Sequence, residues 1–260
     1  MIRSLFVSHG APTFALEPGL AGPALTRLGA SLPRPQAVLM VSPHWQAPGP
    51  VVMTTPAPAT LHDFGGFPEA LYRLQYPAPG HPGLARVALE CLAEAGWAAT
   101  ADPQRPLDHG AWVPLGYLFP NADVPVFQVA LPDPLDARAA WELGQALAPL
   151  REQGVLVVGS GSLTHNLRDV RWHAAEAAGY AGAFAGWVRE AVTAGASERL
   201  LRTLDDAPHA RRAHPTTEHF LPLLVAAGAA GHACPADWID GGTEHGALVM
   251  DAYVFRDPSA

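Results

Sequence analysis

Five short apolar runs constrain the fold most: SLFVS (4–8), AVLMVS (37–42), VPVFQVAL (124–131), GVLVVGS (154–160) and GALVMDAYVF (246–255). They have strand length, are rich in valine as a set, and are bounded by Gly, Pro or Ser. Between them lie segments with helical periodicity, near 20–31, 83–96, 135–151, 174–194 and 217–230. Strands that stay apolar on both faces and alternate with helices predict an α/β fold with a largely parallel central sheet, flanked by helices on both faces. At 260 residues, without a low-complexity tract or linker, the chain suits a single domain over 1–260. The segment LPLLVAAGAAG is apolar all round and predicts a buried helix. That helix is expected to start near Thr216 or Thr217, with His219 in its first turn.

Composition narrows the chemistry. A formal charge of −8 and no basic run argue against a nucleic-acid partner. The longest apolar stretch, FLPLLVAAGAAG, is too short and Gly-broken to cross a bilayer, and the first residues lack a signal-type apolar region. The expectation is a cytoplasmic protein without a membrane partner; oligomeric state is not legible. All sixteen basic residues are arginine, which excludes a Walker lysine and Schiff-base chemistry. Cys91 and Cys234 form no CxxC pair, so thiolate zinc sites and disulfide frameworks are not expected. Twelve histidines remain, and the ligands and acid–base groups of any site should be His, Asp or Glu.

Several of those histidines follow strands. His9 ends the first run, His44 follows the second in a Pro-bounded loop, and His165 follows the fourth beyond a Gly/Ser turn. Three imidazoles at the carboxyl edge of one sheet lie where open α/β sheets bind ligands, and neutral imidazole suits Fe(II) and Zn. A lone histidine after a strand is usually a satisfied loop residue; three in one pattern favour a site. His109, in LDHGAWVPL, is a fourth candidate, with Asp108 beside it to orient its ring. His62 and Asp63, in LHDFGGFP, suit a lid or pocket wall. His81, His173, His209, His232 and His245 are assigned to surface or structural roles. In GSGSLTH the glycines are misplaced for a nucleophile elbow or a dinucleotide turn, so Ser160 and Ser162 are assigned to a tight strand exit.

Taken together, SHGAP, SPHW, LDHGAWVPL, SGSLTHNL and PTTEHFLPLL, in this order and spacing, resemble the class III extradiol ring-cleavage dioxygenases, in the DOPA 4,5-dioxygenase branch. The resemblance runs from residue 4 to about 255 and includes LHDFGGFP. It implies a non-haem metal, Fe(II) in the active enzyme and Zn(II) in some isolated protein. It implies His9, His44 and His219 as metal ligands and His165 as the acid–base residue beside the metal, itself able to approach it. His109 is expected to hydrogen-bond substrate or oxygen. In the related protocatechuate branch the third ligand is a glutamate, so Glu218 competes with His219. Neighbours on a helix point about 100° apart, so one metal does not take both.

The implied substrates are a small catechol and O2. Such a reaction needs a group that takes a proton and later returns it, and imidazole titrates near working pH. Trp45 and Trp112 are candidates to pack on the ring, with core packing as the equal alternative. A carboxylate-bearing substrate would want an arginine, and Arg168 and Arg171 are the candidates, against a solvated loop. Together with His62, Trp45 and Arg168 make up the expected substrate-binding set. Two rival readings stay open: a zinc-dependent hydrolase using the same three ligands, and a non-catalytic binding protein on this scaffold.

Overall fold

The computed structural model describes residues 2–172, 174 and 176–257; the role assigned to His173 lies outside the described residues. The first four apolar runs form strands β1 (Ile2–Ser8), β2 (Ala37–Val41), β3 (Val126–Gln128) and β4 (Val155–Gly161). These pair in parallel in the order β3-β2-β4-β1. Strands β5 (Ala236–Ile239) and β6 (Ala252–Arg256) extend the sheet beyond β1, with β6 antiparallel to β1 and β5 antiparallel to β6. Every residue of β2 is buried, as a sheet covered on both faces requires.

The principal helices are α1 (Ala21–Ser31), α2 (Pro82–Glu94), α3 (His109–Leu118), α4 (Ala137–Leu147), α5 (Gly179–Thr193) and α6 (Leu221–Ala230). Strand β4 shows how they divide between the faces, because alternate residues point opposite ways. A Cβ on Gly159 would lie 2.0 Å from the Pro222 carbonyl oxygen, and one on Gly161 2.2 Å from that of His219. Glycine therefore lets α6 and the turn before it press onto one face, with α4 covering α6 in turn. Ser160, between those glycines, points the other way and donates to the Gly110 carbonyl of α3. One contiguous apolar core joins the two faces.

The structure departs from the periodicity reading at several elements. The run 124–131 gives only Val126–Gln128 to the main sheet, because Val129 bridges Val52 and Leu131–Pro132 pairs with Gln46–Ala47 instead. The run 246–255 divides in the same way: Leu248–Val249 pairs with Thr243–Glu244, and only Ala252–Arg256 reaches the sheet. Helix α3 gives no periodic signal, since it is buried at eight of its ten positions, shows no polar stripe and contains Pro114. Helix α6 starts at Leu221, not near Thr216 or Thr217; Pro222 suits a first turn, and His219 sits in the preceding turn closed by Phe220 N–H on Thr217 O at 2.9 Å. The edge strand β5 gives little signal either, because it is short and half its residues are exposed.

Candidate metal centre and active-site cleft

Five histidines meet at the carboxyl edge of the parallel strands. His9 directly follows β1, and His44 and His165 lie in the loops after β2 and β4. The first residue of α3 is His109, and the turn before α6 carries His219. Ring centroids lie 5.0 Å apart for His9 and His44, 3.9 Å for His44 and His109, and 5.2 Å for His44 and His219. His165 stacks on His219 at 3.4 Å with the planes 8° apart. Two sets of donor atoms, each within 4.8 Å of one another, result: His9, His44 and His109, and beside them His165, Glu218 and His219.

The neighbours of these rings determine where their protons sit. Pro114 has no N–H, so the carbonyl four residues earlier, that of Gly110, lacks its intrahelical partner. Ser160 gives its only proton to that carbonyl. Towards His9 Nδ1, 3.0 Å away, Ser160 Oγ can then only accept. His9 is therefore protonated on Nδ1, and its Nε2 lone pair faces His44 Nε2 at 3.1 Å. On His44, Nδ1 faces the Asp63 carboxylate at 3.6 Å, again an acceptor. Glu218 accepts from His219 Nδ1 at 2.9 Å, which leaves the buried His219 Nε2 without a partner. Asp63 also accepts from His109 twice, from the backbone N–H at 2.9 Å and from Nδ1 at 3.0 Å.

Two imidazole lone pairs facing each other at 3.1 Å repel unless a cation lies between them. Nitrogens about 2.1 Å from one ion, at ordinary coordination angles, stand roughly 3.0–3.4 Å apart. The orphaned His219 Nε2 and this all-nitrogen set fit a late first-row divalent ion. Burial and the other imidazoles hold His9 and His219 well below the usual histidine range. Burial and His109 lower His44 to about 3, with Asp63 opposing. His165 is lowered to about 4 by burial, partly offset by Glu218. At neutral pH these four imidazoles are unprotonated ligands or bases.

A cleft of about 360 Å³ opens onto the cluster, with His44, His109, His165 and His219 at its floor and Phe64, Phe67 and Trp172 in its walls. A larger cleft of about 580 Å³ lies by Arg3, Arg34 and Arg151, where no imidazole lines it.

Comparison with known proteins gives this arrangement its context. Residues 23–255 match the family model described as the catalytic LigB subunit of aromatic ring-opening dioxygenase. A 4,5-DOPA dioxygenase extradiol from Beta vulgaris is 39% identical over 97% of this chain and 96% of its own length. A protein of the same description from Escherichia coli K12 is 39% identical over 95% of this chain and 92% of its own. The crystal structure of an uncharacterized E. coli K12 protein superposes with a TM-score of 0.79 at 32% identity, covering 98% of this chain and 99% of that one. The chain belongs to the LigB family of extradiol aromatic ring-opening dioxygenases.

For a LigB-family enzyme, the residues expected to bind substrate sit unevenly. Neither Trp45, His62 nor Arg168 lines the cleft. Trp45 is buried under the Arg105 guanidinium, 4.8 Å from its ring centroid. His62 bonds the Leu74 carbonyl at 3.0 Å and packs behind Phe64, bracing the loop that carries Asp63. Arg168 is exposed. Trp112 is buried and donates to Leu61 O at 2.9 Å. The ring of His109 is oriented by Asp63 and not by Asp108, which caps α3 through Ala111 N–H at 3.1 Å and accepts from Gln128 at 2.8 Å. Ser160 does more than close a strand exit, because it holds His9. Sequence reasoning also misses His214, which is buried and bonded to Leu163 O at 2.9 Å, and the aromatic walls Phe64 and Phe67. The apolar-aromatic composition of LHDFGGFP is the available signal for those walls.

Proposed function

We propose that this dioxygenase opens a catechol ring next to its diol with O2, using Fe(II) held by His9, His44 and His219. The observation that carries the assignment is the proton arrangement. Ser160, Asp63 and Glu218 face Nδ1 of His9, His44 and His219, which leaves their Nε2 lone pairs free for a metal, and His219 Nε2 is the ring nitrogen of the cluster that is buried without a partner. When bound, the ion supplies positive charge that favours the catecholate and a redox-active centre where catechol and oxygen meet. Zn(II) suits the same nitrogens but supplies no redox chemistry. Catechol and O2 together contain every atom of the ring-opened product, so no further reductant is required.

His165 enters the reaction as a neutral imidazole at the cleft floor, able to take a proton from the diol and return it after ring opening. His109, with Nδ1 committed to Asp63, is left with Nε2 as a hydrogen-bonding partner for the substrate or oxygen. The names of the relatives put DOPA-like catechols among the candidate substrates.

Anaerobic loading with Fe(II), followed by a catechol panel in air, tests the reading through oxygen uptake and the absorbance of the yellow product. His165→Ala should keep its iron and lose about 10²–10⁴-fold in turnover. His219→Ala should lose iron affinity. Equal turnover with zinc, or wild-type iron affinity in His219→Ala, would sink the assignment.

A further inference from the structure

We infer that the catechol this cleft binds carries an apolar substituent, as in a 4-alkylcatechol, and not a zwitterionic amino-acid side chain. The inference rests on the catechol reading above and narrows it. The cleft has two unlike ends. Imidazoles form its floor, whereas Phe64, Phe67, Leu167, Val170, Trp172 and Leu248 form its walls and mouth. Among the described residues, no Asp, Glu or Arg lines it, and the sequence contains no lysine.

The nearest arginines along the chain face elsewhere. Arg168 is exposed and absent from the cleft wall. Arg171 lines a separate surface cleft with Asp169, Glu176 and Arg212, and Arg212 is itself paired to Asp169 at 2.9 Å. Arg105 is committed to the His44 carbonyl at 3.2 Å and to Asp108 at 3.3 Å. An α-carboxylate and ammonium entering the mouth would lose water and meet apolar side chains, which is costly without partners.

The mouth also presents surface that a ligand can cover. Leu167 is 65% exposed and Trp172 53%, two of the few large apolar side chains left in water among the described residues, and both line the cleft. The loops that carry them approach the opposite wall, where the Phe67 and Trp172 rings meet edge-on at 6.1 Å. An exposed apolar rim around a polar floor orients a ligand with its diol inward and its substituent between these rings.

The test uses the zinc-loaded protein, because zinc supplies no redox step that would consume a bound catechol during a titration. Catechol, 4-methyl-, 4-ethyl- and 4-propylcatechol and L-DOPA would be titrated by calorimetry, and kcat/KM for the same panel measured on the iron-loaded enzyme. Affinity should rise by up to about fourfold per methylene, and L-DOPA should bind no better than catechol. Trp172→Ala should flatten the alkyl series, and Leu167→Arg should shift preference towards L-DOPA. Tighter binding of L-DOPA than of 4-propylcatechol, or a flat alkyl series in the wild type, overturns the inference. A rising series with no ring opening on iron supports the inference and defeats the dioxygenase assignment. Ring opening that favours L-DOPA does the reverse, and no binding by any catechol defeats both.

Discussion

Ser160 has one proton, and its destination determines the state of His9. The proton goes to Gly110 O because Pro114 leaves that carbonyl without its helical partner. Ser160→Ala should strip His9 of the acceptor that holds its tautomer and lower metal affinity about 10–100-fold. It should also cost about 1–3 kcal/mol of stability through the buried groups left unpaired. Competition against a chelator measures the first effect and denaturant unfolding the second. Unchanged metal affinity would remove Ser160 from the support of the site. Asp63 serves two rings in the same manner, which is why a carboxylate in a loop is as much a part of the centre as the imidazoles it faces.

The contact between β4 and the turn leading into α6 sets where His219 stands. Ser162 N–H bonds the His219 carbonyl at 3.0 Å, and Gly161 leaves room for that same oxygen. A methyl group at 161 meets backbone, which cannot move aside as a flexible side chain does. Gly161→Ala should therefore destabilise the fold by about 1–3 kcal/mol and, with the ligand set proposed above, weaken metal binding by moving His219. Thermal unfolding and iron content of the purified variant check this; a variant with wild-type stability and full iron occupancy would show that the turn is free to shift.

Burying so many imidazoles makes the whole molecule sensitive to acid. In the unfolded chain these groups titrate near 6.5, whereas folding lowers His44 to about 3 and His165 and His214 to about 4, all chiefly by burial. Between those values and 6.5 the unfolded state binds more protons, so stability of the metal-free protein rises with pH across this window and is fully present above it. His214 alone accounts for roughly 3 kcal/mol of that change, at 1.36 kcal/mol per unit. Bound metal competes with protons for the same nitrogens, so the gap in Tm between loaded and metal-free protein should narrow as pH falls. Calorimetric melts from pH 8 to 5 test both statements; a flat metal-free Tm contradicts the first.

The central strands, the covering helices and the strand-to-histidine steps at His9, His44 and His165 follow from patterns of a few adjacent residues, which sequence alone displays. The absence of lysine and of a cysteine pair likewise limits the donor chemistry to His, Asp and Glu on composition alone. What sequence could not display is pairing across distance. Asp63 lies 46 residues from His109 and Ser160 151 residues from His9. Asp108, adjacent to His109, is the nearer candidate in sequence, but as the helix cap its side chain points back at the α3 N–H groups. Helix α3 itself has no polar face to betray it, because it is buried nearly all round. Periodicity reports a boundary between core and water, and neither the interior helix nor the loop carboxylate lies on one; only packing brings them to the histidines.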